Sequence, residues 1–402
     1  AYHLASSRRV TLFEAEGRLG GHARTVMAGR SGTQPVDTGF IVFNRPNYPT
    51  MTALFDALDV PVKPSNMSFA ASIDDGRVEY AIADLKCLLG QPHNLVKPAF
   101  WKMMADLFRF HREAIGASQN PDMTVGEMLE GMKLGDWFRR YYLLPISGAI
   151  WSATPEQMAD FPARTLVQFF ENHALLQVNT HKWETVAGGS IEYVRRMEAA
   201  MRAQGVEIRT GAPVAGVRRD AESVSVRAEG GEWEEFDQVV FACHSDDALR
   251  LLSDATAAEQ SVLGRMRYHD NRGVLHRDPS QMPRRRSCWA SWVFKAADAT
   301  PRPQIGLTYW MNSLQGIDPA DPLFLSLNPE DDIPDEAIYD TWEMRHPVFD
   351  RPAIAAQAEL AAMQGDNRSW FCGAYTRYGF HEDGFASGLN AARRISELEE
   401  VA

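Results

Sequence analysis

Glu14 closes a short apolar run, Val10-Thr11-Leu12-Phe13, that reads as a strand. A carboxylate at the end of such a strand can accept both hydroxyl protons of an adenosine ribose. The plainer alternative is a solvated acid after a strand. Glu16 is expected to face solvent. In a dinucleotide-binding unit the acidic residue lies about 20 residues beyond a first strand and its glycine-rich turn. Those two pieces are therefore expected before residue 1, and Ala1-Tyr2-His3-Leu4-Ala5 reads as the tail of a helix. Other reactive side chains are scattered. His173, His181 and His244 stand alone, and Cys87, Cys243, Cys288 and Cys372 lack metal-ligand spacing and are too few for a disulfide scaffold.

The surrounding pattern supplies elements that could position these groups. Thr33 to Phe40 reads as a strand and turn, and Met51 to Leu58 as a helix ended by Pro61 and Pro64. Asp74-Asp75-Gly76 between Met67–Ala70 and Arg77–Tyr80 signals a hairpin. From about 83 to 180 the texture is helical and aromatic, with Phe100, Trp101, Met104, Leu107 and Phe108 at helical spacing. Thr124-Val125-Gly126-Glu127 is a capping box. Tyr141–Trp151, containing Pro145 and Gly148, is expected to end one buried helix and turn toward the next, and Thr165–Leu176 is another helix candidate. A helix from Ile191 to about Gln204 follows Gly188-Gly189. Short strands are expected at 206–209, 214–217, 223–228 and 231–236, and Asp237–Cys243 reads as a buried parallel strand. Further strands are expected at 288–294, 305–311 and 322–328, and a last helix from about Phe385 through Arg394.

The chain has 402 residues, enough for two sizeable domains, and 45% hydrophobic residues, as in ordinary globular proteins. A net charge of −12 argues against a nucleic-acid partner. Arg284-Arg285-Arg286 is the strongest basic cluster, either a solvated turn or a contact for an acidic substrate or lipid headgroup. Cysteine usage fits a reducing cytoplasm, and no apolar run is long enough to span a bilayer. Surface contact with a membrane is compatible with the sequence.

The order of these pieces resembles the superfamily of FAD-dependent amine oxidases, phytoene desaturases and protoporphyrinogen oxidases. It is most similar to bacterial NAD/FAD-binding oxidoreductases linked to modified fatty-acid metabolism. The resemblance covers nearly the whole chain. It implies an α/β fold in which a Rossmann-like FAD-binding domain (1–62, 183–260 and 361–402) is interleaved with an α+β substrate domain. The latter would comprise a mostly helical part, 63–182, and a sheet-rich part, 261–360.

The resemblance also implies roles for residues. Gly17-Arg18-Leu19-Gly20-Gly21-His22-Ala23-Arg24 resembles the second flavin motif, in which Gly17, Gly20 and Gly21 let backbone approach the cofactor while Arg18 and Arg24 face phosphate. Asp37-Thr38-Gly39-Phe40 resembles the segment that passes the flavin. Gly39 would allow close approach, and Thr38 and Phe40 would touch the ring or simply pack. Val214 would meet adenine or pack in the core; Gly188-Gly189 would approach the flavin or start a helix. Glu382-Asp383-Gly384 resembles the motif that meets the ribityl chain and pyrophosphate at a helix start. A carboxylate beside phosphate is repulsive, so Glu382 or Asp383 is expected to orient backbone or hydroxyls, and Gly388 to pack under the cofactor or occupy a helix face.

In such a protein a flavin carries the electron chemistry and the chain places a donor bond beside it. Tyr309, Trp310, Tyr375, Tyr378 and His381 are the candidates for the reacting pocket, with His381 as a proton relay or a structural hydrogen-bonder. The expected function is FAD-dependent removal of hydride from a hydrophobic small molecule or lipid, such as an unsaturated or modified fatty-acyl group. Dioxygen or another acceptor would take the electrons. The alternatives are a flavin-dependent amine oxidase and a noncatalytic, FAD-stabilised lipid- or partner-binding protein.

Overall fold

The computed structural model describes residues 1–82, 90–151, 153–172, 176, 182–296, 306–329 and 331–397. Cys87, His173 and His181 lie outside them. The centre of the described chain is a seven-stranded sheet assembled from two distant stretches of sequence. Its order is Ile338–Pro347, Tyr268–His276, Phe324–Leu327, Leu307–Trp310, Trp292–Ala296, Phe69–Ile73 and Val78–Ile82. All neighbours are antiparallel except Trp292–Ala296 beside Phe69–Ile73, which run parallel. The Asp74-Asp75-Gly76 turn has positive φ at all three residues, which closes the hairpin between the last two strands.

The longest pair in this sheet, Tyr268–His276 with Ile338–Pro347, is absent from the sequence reading. Its strands carry His, Asp, Arg and Glu among their apolar residues, so the simple two-residue alternation is broken. Their register depends on a shape match. Gly273 lies opposite Trp342, and a Cβ on Gly273 would sit 2.5 Å from the indole.

Helices pack on one side of this sheet. Phe100, Phe110, Phe138 and Phe170 share one core with Phe69, Leu275 and Leu325. Thr124 caps the helix Val125–Gly131 through the expected reciprocal bonds with Glu127, and Thr154 with Gln157 does the same for Pro155–Asp160. The Thr165–Leu176 expectation corresponds to the helix Ala163–Asn172. Tyr141–Trp151 differs from its expected break: Asp136–Phe138, a π-helical turn at Arg139–Leu143 and Leu144–Trp151 follow one another without interruption. The wide turn accommodates Pro145, which has no N–H to return to the Tyr141 carbonyl. The Tyr80 hydroxyl donates to that carbonyl instead.

The remaining described chain forms an α/β region of small sheets. Thr11–Phe13 runs parallel to Glu207–Arg209, and Val239–Phe241 runs parallel to Ser369–Phe371. Val214–Arg219, Val224–Ala228 and Trp233–Phe236 form an antiparallel meander. Val62–Ser65 pairs with Trp183–Val186 where the chain leaves and rejoins this region. The final helix, His381–Glu397, begins before the expected Phe385, so Glu382, Asp383 and Gly384 form its first turn.

Candidate functional site

The α/β region and the large sheet share the wall of one cavity of about 3250 Å³. That volume exceeds the roughly 300–1,000 Å³ of an ordinary small-molecule pocket, so it suits a dinucleotide together with a second molecule. On the α/β side the wall includes Glu14, Arg18, Gly20, Gly21, Arg24, Thr38, Gly39, Val214 and Gly384. Tyr309, Tyr375, Tyr378 and His381 line it as well. Gly17, Trp310, Glu382 and Asp383 are not part of this wall.

Three of these four residues are held elsewhere by hydrogen bonds; nothing in the structure explains the position of Gly17. The Glu382 carboxylate accepts the Thr50 and Met51 N–H groups at 2.8 and 2.9 Å, capping the helix Pro49–Ala57 from another segment. Asp383 accepts Tyr378 N–H and Phe380 N–H at 3.2 and 2.9 Å, and burial raises its carboxyl to about 6. Asp383 thus fixes the turn that leads into His381–Glu397, and Glu382 ties that helix to Pro49–Ala57. Trp310 donates to Asn312 at 3.1 Å and packs edge-on against Trp289.

The flavin-like segments are locked together by buried contacts. Gly39 passes so close to His22 that a Cβ would lie 2.0 Å from the His22 carbonyl oxygen. Asp37 accepts bonds from Thr25 Oγ1 at 2.6 Å, from Ser190 N and Oγ at 2.8 Å, and from Gln315 Nε2 at 2.8 Å. Burial raises its carboxyl to about 6 despite those donors. Asp37 therefore joins the strand pair Thr25–Ala28 and Gln34–Asp37 to the Gly188-Gly189 turn. Arg24 bonds Asp340 at 2.6 Å and Thr38 Oγ1 at 3.1 Å, and its guanidinium lies 4.9 Å from the Trp342 ring centre. Arg18 bonds Glu16 at 2.9 Å and the Gly21 carbonyl at 3.0 Å.

His381 sits in an aromatic stack. Its ring is 4.1 Å from that of Phe40 at 10°, and Nε2 is 2.6 Å from the Tyr193 hydroxyl. Burial is the main reason its imidazole falls to about 3, so it is neutral in ordinary buffers. Three further wall histidines come from distant segments. His22 lies 5.8 Å from His244 and 5.9 Å from His346, ring centre to ring centre. Burial lowers all three, His244 to about 4 and His346 to about 3. Arg345 beside them is held by Asp246 and Asp247 and lies 5.3 Å from the Tyr268 ring. Nothing in the sequence spacing links these histidines; the missed pairing of Tyr268–His276 with Ile338–Pro347 is what brings His346 to the cavity.

Another part of the wall is apolar. Trp151, Phe169 and Phe380 cluster there, with Phe169 stacked on Phe380 at 4.7 Å, while Tyr309 meets Trp292 edge-on at 5.1 Å. Two wall residues, Tyr375 and Trp292, bury a hydroxyl and an indole nitrogen without a protein partner.

These features fit a bound FAD. Glu14 offers an acceptor to a ribose, Gly388 leaves open space on the wall where a Cβ would stand, and Tyr375 holds a buried polar atom with no partner in the chain. Fold and cavity together define a flavoprotein oxidoreductase. The sequence matches the flavin containing amine oxidoreductase family over residues 1–270, and the chain belongs to that family. It is an FAD-dependent enzyme with a Rossmann-like FAD-binding region interleaved with an α+β region.

Solved structures share the fold. Cyclohexylamine oxidase from Brevibacterium oxydans IH-35A is 16% identical with a TM-score of 0.69, over 99% of this chain and 96% of the other. A putative protoporphyrinogen oxidase from Exiguobacterium sp. 255-15 is 17% identical with a TM-score of 0.70, over 99% and 96%. A CLA-producing fatty acid isomerase from P. acnes is 12% identical with a TM-score of 0.64, over 98% and 99%. A search of curated proteins finds no match. No helix among the described residues is long and apolar enough to cross a membrane.

Proposed function

We propose that the protein oxidises a hydrophobic amine, with dioxygen as the electron acceptor. The observation that carries this reading is the meeting, in one cavity, of nucleotide-side residues with an aromatic wall and uncharged imidazoles. Family membership and the shared fold of an amine oxidase support it. FAD supplies a two-electron acceptor. Glu14 would hold its adenosine ribose, Val214 its adenine, and Gly20-Gly21 and the first turn of His381–Glu397 its diphosphate, with Arg18 nearby.

The chain's own groups prepare the substrate. Tyr309, Trp292, Phe169 and Trp151 remove water from an apolar amine and favour its neutral form, since burial disfavours an ammonium. Neutral His381, fixed by Tyr193 and Phe40, adds no positive charge that would oppose a developing iminium. The substrate loses a hydride from the carbon bearing nitrogen and a proton from nitrogen. Dioxygen takes up the two electrons and two protons as hydrogen peroxide, and water hydrolyses the imine to a carbonyl compound and ammonia, or a smaller amine where the substrate is a secondary amine.

A second reading, oxidation of a fatty-acyl chain, is favoured by one feature: the cavity wall continues through Leu107 to Phe108 and Ile82 at the surface. Anaerobic mixing of the FAD-loaded protein with alkyl and cycloalkyl amines, free fatty acids and phospholipids separates the two. Bleaching of the flavin absorbance by amines alone, with stoichiometric aldehyde or ketone on aeration, is the expected result. Bleaching by acyl chains alone would replace the amine reading with the second.

A further inference from the structure

Among the described residues, every exposed large apolar side chain except Met27 falls between Ile82 and Ile115. Three of them, Trp101, Phe108 and Ile115, lie on the 20-residue helix Pro98–Ala117 and are 53%, 64% and 42% exposed. Seven-residue spacing places them in one line along the helix. The opposite side, with Phe100, Met103, Phe110 and Ala114, is buried in the core. Leu95 and Val96, the latter 78% exposed, extend the line beyond the helix start. A contiguous apolar surface of this kind marks an interaction site.

The charges around the stripe identify the partner. The helix and its N-cap carry Lys97, Lys102, Arg109 and Arg112; Lys102 pairs with Asp106, and Arg109 and Arg112 share Glu113. Arg112 is 73% exposed. At the Val96 end, Lys97 Nζ reaches the Arg77 carbonyl at 3.4 Å, and the exposed side chains of Arg77 and Arg284 are paired with Asp74 and Asp75. Lys97, Lys102, Arg109, Arg112, Arg77 and Arg284 against Asp106, Glu113, Asp74 and Asp75 leave a local excess of two positive charges in a chain of net charge −12. A second copy docked on the same face would bring two such positive excesses together. An anionic surface with an apolar interior complements both the stripe and its border. The Trp101 indole, with its N–H bonded to the Leu95 carbonyl at 2.8 Å, presents the amphipathic ring suited to a headgroup layer. Ile82, Leu107 and Phe108 also belong to the cavity wall, so this face borders the route to the site.

We propose that the Trp101–Phe108–Ile115 face of helix Pro98–Ala117 docks on an anionic lipid bilayer, with the cavity opening at the membrane surface. The docking does not depend on whether the substrate is an amine or an acyl chain. The test is co-sedimentation of the FAD-loaded protein with vesicles of phosphatidylcholine alone and of phosphatidylcholine with phosphatidylglycerol. Binding is expected to the second vesicle, weakened by salt and weakened about tenfold or more in Trp101→Ser/Phe108→Ser and in Phe108→Ser/Ile115→Ser. Lys102→Glu/Arg112→Glu should also weaken it, whereas Met27→Ser should not. Thermal melting and retained flavin establish that each variant is folded. Absence of binding to both vesicles, or binding unaltered in the folded stripe variants, would overturn the proposal. So would a wild-type dimer in analytical ultracentrifugation that Phe108→Ser converts to monomer, since the face would then be a contact between copies.

Discussion

Gly39 has no room for another atom, because the His22 carbonyl oxygen occupies the place of its Cβ. Gly39→Ala must therefore separate the two segments that carry His22 and Phe40. A stability loss of about 2 kcal/mol or more is expected, of the size seen when core backbone is forced apart. Chemical denaturation measures it; an unchanged midpoint would show that the two strands are not held at this distance. Glu14 should behave in the opposite way. Its carboxylate accepts only the nearby Glu16 N–H among the bonds seen here, at 2.9 Å, so Glu14→Gln should leave stability nearly intact. FAD affinity should fall about tenfold, or about 1.4 kcal/mol, from loss of a charged acceptor. Flavin fluorescence titration decides this, and equal affinities would remove Glu14 from the cofactor site. At this scale the sequence is informative where chemistry is local: an acid after a strand and a glycine pair name their own region. It says less about which partner a side chain finds. The sequence predicts that Glu382 or Asp383 orients backbone or hydroxyls; Asp383 takes the Tyr378 and Phe380 amides just before it, whereas Glu382 reaches Thr50 and Met51 because Pro49–Ala57 packs against the last helix.

Elements were legible where a short-range rule governs them and obscure where a distant partner does. Thr124 and Glu127 announce their helix start because both members of the capping box are three residues apart. Pro145 announces a helix break, and the break is averted by Tyr80, which lies on a strand far away in sequence. That arrangement predicts a specific coupling. Tyr80→Phe should cost about 1–3 kcal/mol, because it leaves the buried Tyr141 carbonyl without its donor. In a Pro145→Ala background the restored N–H can serve that carbonyl, so the same substitution should cost less. A double-mutant cycle by urea denaturation reads the difference. Additive costs would show that the Tyr80 hydroxyl does not stand in for the missing amide. The Tyr268–His276 and Ile338–Pro347 pair illustrates the harder case. Its register is set by Gly273 across from Trp342, a cross-strand match that no single-strand pattern contains.

At the scale of the whole molecule, groups from many segments are buried in one protonation state, and this makes stability depend on pH. His381 and His346 are depressed to about 3, and His244 and His276 to about 4, each chiefly by burial. An unfolded histidine titrates near its ordinary value of about 6.5. Below that pH the unfolded chain gains protons that the folded chain refuses, so these groups contribute stability above about pH 6.5 that is lost as pH falls toward 4 and 3. Asp37 and Asp383, raised to about 6, act in the reverse direction. Their folded forms take up protons before the unfolded carboxyls do, so they favour the folded state as pH falls from about 6 to 4. Each group contributes about 1.4 kcal/mol per pH unit over the interval where its two states differ. Four imidazoles therefore outweigh two carboxyls between pH 6.5 and 5. The melting temperature should be lower at pH 5 than at pH 7.5 at matched ionic strength, as calorimetry or a fluorescence melt can measure. His276 provides an internal check, because it is buried against Ser326 and does not line the cavity. A folded His276→Gln variant should lose less stability between those two pH values than the parent chain. A melting temperature that rises on acidification, with the same pH dependence in folded His276→Gln as in the parent, would overturn the uncharged state of the buried imidazoles and with it the uncharged lining proposed for the amine site.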